Sequence, residues 1–280
     1  MNRRKQNRIY YVSSKNIPSI RFFKEKVFEG NIFIFDNIPL IKKTLMICDP
    51  YFINFFKIPI KVFLNISNSD INNLNGKFKD IQERLKENRL LSRLWSDFFK
   101  KLGFDLSDTY LDKICLRFSP NIDQSSVGNL KPTLAHRDTW ASNLYHQINW
   151  WMPLHDVQDN NSIFIAIDYF KKKVENNSKD WKYRYLRKKN NYPSTPFSNI
   201  KLTNKEKINL KLKIGQIACF SGHHIHGSNV GSLKRLNIET RTVCYNDLIN
   251  YKIPENLDSY GKKRFRWFRN ILNNKSYSED

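Results

Sequence analysis

Cysteine is the first scarcity. Cys48, Cys115, Cys219 and Cys244 are far apart and contain no C-x-x-C pair, which argues against a zinc ribbon or a thioredoxin-type redox site and leaves ordinary buried thiols. No stretch approaches about 18 consecutive apolar residues, so no transmembrane helix is expected. The N-terminal "MNRRKQNRIYYVSSKN" is basic but lacks the apolar segment that a secretory signal needs after it, which makes the cytoplasm the expected location. Acidic side chains are also in deficit: 26 Asp and Glu stand against 48 Lys and Arg, a formal charge of +22. Such a balance suits nucleic acid or another anionic surface. Stretches such as "KLTNKEKINLKLKIG" carry the same excess, so a sequence-wide bias accounts for it equally well. No repeat or long low-complexity tract divides the chain, and its 280 residues suffice for the core of one large domain.

What is present is a succession of short apolar runs. "GNIFIFDNIP" and "YFINFFKIPIKVFLNI" read as buried strands or short helices, between which periodicity does not choose at this length. In "DIQERLKENRLLSRLWSDFFKKLG", Ile81, Leu85, Leu91, Leu94, Trp95, Phe98 and Leu102 recur mostly at three- and four-residue intervals, with Gly103 at the end. That pattern predicts an amphipathic helix of about 22 residues packed on the core. After "YLDKICLRFSP", the segments "HQINWWMPLHDV", "SIFIAIDYF", "LKLKIGQIACFSG" and "RLNIETRTVCY" are predicted strands separated by polar turns. Residues 1–107 are thus expected to supply N-terminal strands and a supporting helix, and 108–250 a β core interrupted by an insertion at about 171–204. Residues 251–280 are read as a basic C-terminal extension of the same single domain. Within the insertion, Trp181, Tyr183, Arg184, Tyr185 and Arg187 interleave aromatic and basic groups. That pattern suits stacking and phosphate contact, or a polar lid over a site.

Histidine is sparse, which makes its placement informative. Of the six, at 136, 146, 155, 223, 224 and 226, three fall within four residues. In "KPTLAHRDTWASN", His136 and Asp138 are two apart. On an extended segment they would share one face while Arg137 points away. A third imidazole from the later cluster would complete two nitrogens and one carboxylate, a facial set that holds Fe(II) and leaves positions open for a cosubstrate and oxygen. Cysteine in their place would bind more softly and oxidise. Nine residues past His226, Arg235 follows a Gly-containing turn and is suited to grip a carboxylate in a bidentate fork. A surface salt bridge or a phosphate contact is the plainer role for it. His224 shares strand parity with His226 and is the alternative third ligand.

With these residues in place, "AHRDTWASN...INWWMPL" and "ACFSGHHIHGS...RLNIETRTV" resemble the 2-oxoglutarate and Fe(II)-dependent oxygenases, and more closely their phytanoyl-CoA dioxygenase-like branch. The resemblance covers roughly residues 110–245. It implies a mainly β fold, a double-stranded β-helix (jelly roll) core with flanking α-helices, with Fe(II), 2-oxoglutarate and O2 as cofactors. His136, Asp138 and His226 fall on the iron ligands, and Arg235 falls where the family binds the distal carboxylate of 2-oxoglutarate. Asn237 stands where members usually carry serine or threonine, and the turn before Arg235 is about two residues shorter than in close relatives. Arg241 matches a second arginine, structural or a reserve for Arg235. Trp140, Asn143, Gln147, Asn149 and His224 are candidates for the pocket or for packing. The implied activity is hydroxylation of a small or carrier-bound metabolite, an anionic one if the basic insertion attracts it, and retention of Asp138 argues against the halogenating members. Two alternatives stand beside this: a nucleic-acid or anionic-surface binding protein on a β-barrel scaffold, and a cupin-type metalloenzyme that does not use 2-oxoglutarate.

Overall fold

The apolar runs sort themselves by their neighbours. A computed structural model describes residues 8–36, 38–65, 71–119, 132–185, 192–229, 231 and 233–279; Arg187 of the insertion lies outside them. Strands β1 (Ile9–Ser13) and β2 (Ile32–Asp36) pair in parallel across helix α1 (Ile20–Phe28), whose cap Ser19 accepts from the Phe22 amide. "YFINFFKIPIKVFLNI" is helical: it lies in α2 (Pro39–Phe56), with proline at its first turn, and the short α3 (Ile60–Phe63). The single helix expected over "DIQERLKENRLLSRLWSDFFKKLG" is two, α4 (Ile71–Lys86) and α5 (Arg89–Lys101). Asn88 between them takes an extended backbone and accepts from the Leu91 amide, restarting the helix at a polar cap that leaves the apolar spacing almost undisturbed. The N-terminal region is therefore more helical than its expected strands and one helix.

The rest is built from β3 (Tyr110–Leu111), β4 (Cys115–Ser119), the one-turn α6 (Thr139–Ser142), β5 (Ile148–Pro153), β6 (Ile163–Ala166), β7 (Ile208–Asn209), β8 (Ile217–Ser221), β9 (Ile225–Ser228), β10 (Arg235–Val243), α7 (Asp247–Asn250) and β11 (Arg269–Asn270). The four predicted strands correspond to β5, β6, β8 and β10. The major sheet runs β1-β2-β8-β5-β10-β3-β11, with β4 also paired to β10, and the minor sheet runs β7-β6-β9. Together they form a double-stranded β-helix flanked by α-helices.

The pleat divides the major sheet chemically. Phe33, Phe35, Trp150, Cys219, Leu236 and Ile238 face the helices in the largest apolar cluster, while Ile32, Ile34, Trp151, Ala218 and Phe220 join Ile163, Ile165 and Ile208 of the minor sheet in a second. Trp150 is ringed by Phe23, Phe35, Phe98, Phe99 and Phe104 at centroid distances of 5.1–6.2 Å. Residues 251–279 are bound into this frame: β11 pairs with β3, and Phe268 and Tyr277 are buried against Leu144 and Val243. Among the described residues no helix is long and apolar enough to cross a membrane.

Candidate metal centre and anion pocket

His136 arrives on extended chain beside β9. Its N–H donates to the His226 carbonyl and its own carbonyl accepts from the His226 N–H, both 2.9 Å, so the two imidazoles stand on adjacent lines of the minor sheet with ring centroids 4.2 Å apart. The geometry then departs from the extended pair expected for His-x-Asp. Asp138 has helical backbone angles, φ −66 and ψ −28, and opens α6 without making a side-chain cap. Its carboxylate turns back instead, with Oδ1 3.9 Å from His136 Nε2 and Oδ2 3.6 Å from His226 Nε2. One ligand atom from each of the three residues lies within 4.8 Å of the others.

Each ring is held from behind. His136 Nδ1 lies 2.8 Å from the Leu134 carbonyl and His226 Nδ1 lies 3.0 Å from the His224 carbonyl, which places a proton on each Nδ1 and turns each Nε2 toward Asp138. Burial, helped by His226, pushes His136 down to about 3, so its imidazole is neutral at ordinary pH. For Asp138 burial opposes ionisation, but Arg241, the two histidines and the Asn149 amide together outweigh it and hold the carboxyl at about 2. Asn149 Nδ2 donates to Asp138 Oδ2 at 2.6 Å, and Gln147 donates to Asn149 Oδ1 at 2.9 Å. Arg241 reaches Asp138 Oδ1 at 3.4 Å and is itself anchored through Nε and Nη2 to Asp112 Oδ2. Asn149 and Arg241 thus orient the carboxylate, and Arg241 has its carboxylate partners already.

Arg235 is in the opposite condition. Its guanidinium is buried and bonded to neutral acceptors: Asn237 Oδ1 at 3.1 Å, Ser228 Oγ at 2.9 Å, and the Asn161 and Ser162 carbonyls at 3.3 and 2.9 Å. Among the described residues no carboxylate comes within ion-pair distance, and burial lowers its pKa to about 10. Asn237 also donates to Glu239 Oε2 at 3.4 Å, and Glu239 pairs with Arg117 across from β4. The His136, Asp138, His226, Arg235 and Arg241 side chains line one cavity of about 690 Å³, walled on its apolar side by Trp151 and Phe220. Cys115 borders it too, but burial raises its thiol to about 11, which keeps it protonated.

Other residues singled out in the sequence are used elsewhere. Trp140 is fully buried and donates through Nε1 to Asp258 at 2.6 Å. Asn143 takes φ +54 after α6 and ties Gly261 O and Tyr145 Oη. His224 sits between the Ser221 and Gly30 carbonyls, 3.1 Å from each, against Phe170. Arg137 does point away from the site, yet it is fully buried, bonding the carbonyls of His223, Tyr169 and Lys172 beside Asp258 at 3.3 Å. Asp112, Arg117, Ser228 and Glu239 escaped the sequence reading. For Glu239 the signal was the alternation of polar 235, 237, 239 and 241 with Leu236 and Ile238, which looks like an ordinary half-exposed strand until the polar face is found to point into a cavity; Asp112, Arg117 and Ser228 carried no such local signal.

No family model matches the chain, and no curated protein matches it. Among solved structures it is similar to EvdO2 from Micromonospora carbonacea var. aurantiaca complexed with 2-oxoglutarate, at 11% identity over 60% of this chain and 64% of that one, with a TM-score of 0.40. The non-heme monooxygenase ThoJ, as its Ni complex, gives 12% identity over 79% and 77% at a TM-score of 0.40. The non-heme alpha ketoglutarate dependent epimerase SnoN from nogalamycin biosynthesis gives 16% over 60% and 57% at 0.33. The chain spans less than two thirds of the length of EvdO2.

Proposed function

We propose that this chain is an Fe(II)- and 2-oxoglutarate-dependent oxygenase of the phytanoyl-CoA dioxygenase-like kind, hydroxylating a small or carrier-bound metabolite. The observation that carries the reading is the coexistence, in one cavity, of the His136, Asp138 and His226 ligand atoms with a buried arginine that has only neutral partners. Two imidazoles and a carboxylate fit a divalent first-row metal. A cupin-type site would explain them equally well, but it has no use for Arg235. Burying an unpaired guanidinium costs several kcal/mol, on the order of what a bidentate carboxylate restores when it arrives.

When bound, Fe(II) with 2-oxoglutarate supplies the oxidising chemistry. The chain's own part is positional. His136, Asp138 and His226 hold the ion through Nε2, a carboxylate oxygen and Nε2. Asn149 and Arg241 keep Asp138 ionised and aimed, and Asn237 and Ser228 hold the Arg235 fork toward the far carboxylate of the cosubstrate. Trp151 and Phe220 present apolar surface that limits water around the reacting groups.

The test is anaerobic titration of metal-free protein with Fe(II) and then 2-oxoglutarate, following the weak visible charge-transfer band of the chelate. Wild type is expected to form the band, His226→Ala to lose it, and Arg235→Ala to need about 10–100 times more cosubstrate, the scale of a lost buried charge contact. Iron binding with no band would sink the cosubstrate and leave a cupin-type enzyme.

A further inference from the structure

The charges lining the cavity do not cancel. Its four acids are all engaged: Asp112 and Asp138 by Arg241, Glu239 by Arg117, and Glu83 by Lys86 at 3.1 Å. Four cations of the lining are left without a carboxylate within ion-pair distance among the described residues: Arg235 inside, and Lys113, Arg266 and Arg269. These last three are exposed residues of the lining and form its solvent-facing rim.

Their placement is a product of folding and not only of the overall excess of lysine. Arg269 pairs with Leu111 across β11 and β3, directly beside the turn that carries Lys113. Asn270 locks this junction, donating to the Ser107 carbonyl at 2.8 Å and accepting from the Leu272 and Asn273 amides. Phe268, between the two arginines in sequence, is buried against Leu144, Val243 and Tyr277, and Arg269 Nη1 is steadied by the Asn274 carbonyl at 3.1 Å. Beside them Trp267 packs on Tyr183 of the insertion at 5.0 Å and under the Arg241 guanidinium at 5.5 Å, forming an aromatic ledge that joins the rim to the residues around Asp138.

We propose that this rim binds the charged end of the substrate, a small molecule carrying a phosphate dianion, while the rest of it lies over the Tyr183 and Trp267 ledge toward the triad. The proposal rests on the oxygenase reading for its substrate role. Three cations gathered at a single opening match a compact dianion better than a monoanion, and convergence on a cavity of about 690 Å³ suits a small ligand better than the extended track a nucleic acid needs.

Phenyl phosphate, benzoate and phenol are the probes, measured by calorimetry on the metal-free full chain so that no iron chemistry enters. Phenyl phosphate should bind saturably at one site, about tenfold or more tighter than benzoate, with phenol not binding. Arg266→Glu/Arg269→Glu should weaken it by about tenfold or more, whereas the control Lys42→Glu/Lys43→Glu, on the exposed side of α2, should change it less than about twofold. Equal losses in both variants, benzoate as good as phenyl phosphate, or no saturable binding would each overturn the proposal. So would oligo(dT) binding that displaces the probe and is lost in the rim variant, which would give the rim to nucleic acid. The chelate band is read separately in the same proteins. Neither arginine touches the triad or Arg235, so the band should persist in the rim variant, and its absence from wild type would count against the oxygenase reading alone.

Discussion

Asn149 and Trp150 are neighbours on β5 and belong to different molecules in all but the covalent sense. Trp150 faces the helices, packed among five phenylalanines with its indole nitrogen donating to Thr242 at 3.0 Å. Asn149 faces the cavity and spends its amide on Asp138. The same division runs through β10, with Leu236 and Ile238 on one face and Arg235, Asn237, Glu239 and Arg241 on the other. One face of the sheet accumulates stability and the other holds polar groups in fixed positions, so substitutions one residue apart should have separable effects.

The largest effect belongs to the helix-facing side. Trp150→Ala is expected to lower the unfolding free energy by about 3–5 kcal/mol in urea denaturation, by transfer and cavity terms together, while the protein that remains folded keeps its iron affinity. A comparable loss in Arg137→Met, about 3–5 kcal/mol, would show that the back of the His-x-Asp segment is as structural as the helix face, because it leaves Asp258 buried without its cation. Asn149→Ala should do the reverse of Trp150→Ala: iron affinity falls about 10–100-fold by competition titration, the usual result of removing an outer hydrogen bond to a ligand, with the urea midpoint nearly unchanged.

The effect that is smallest near neutral pH concerns acid. His146 is buried beside Tyr277, and burial, with Lys263 and Lys24 adding, pushes its pKa down to about 3. Its folded value lies below the unfolded one near 6.5, so the unfolded chain binds more protons between those limits. Its contribution to stability is complete above pH 6.5 and is lost as pH falls toward 3. His146→Leu should flatten the stability profile across that window by at most about 1.4 kcal/mol per pH unit. An unchanged slope would assign the acid sensitivity to other buried groups.

Much of the β core was legible because its strands are apolar on both faces over short spans, and the rarity of histidine brought His136, Asp138 and His226 forward together. The misreadings have local causes. Asn88 interrupts a helix without a glycine or proline, so the apolar spacing ran on across it. Asp138 was assigned to extended chain, whereas its backbone is already helical and its carboxylate reaches the histidines by turning back from the start of α6. Trp140 and Asn143 stood close to His136 and Asp138 in sequence, but the turn at α6 carries them toward Asp258 and Gly261. The contact between Arg241 and Asp112 was invisible because it joins residues 129 apart, and no local pattern reports such a pairing.

The reciprocal main-chain bonds between His136 and His226 bear on the order of assembly. These two residues are separated by 226 − 136 = 90 positions, and in an unfolded chain nothing holds them together. The sheet unites them by backbone pairing, so the two imidazoles that the proposed metal would use come together only when the strands have closed. An ion taken up as proposed would then be the last part fitted to a finished frame: a chelator should remove it and leave the protein folded, and a fresh ion should restore it without refolding.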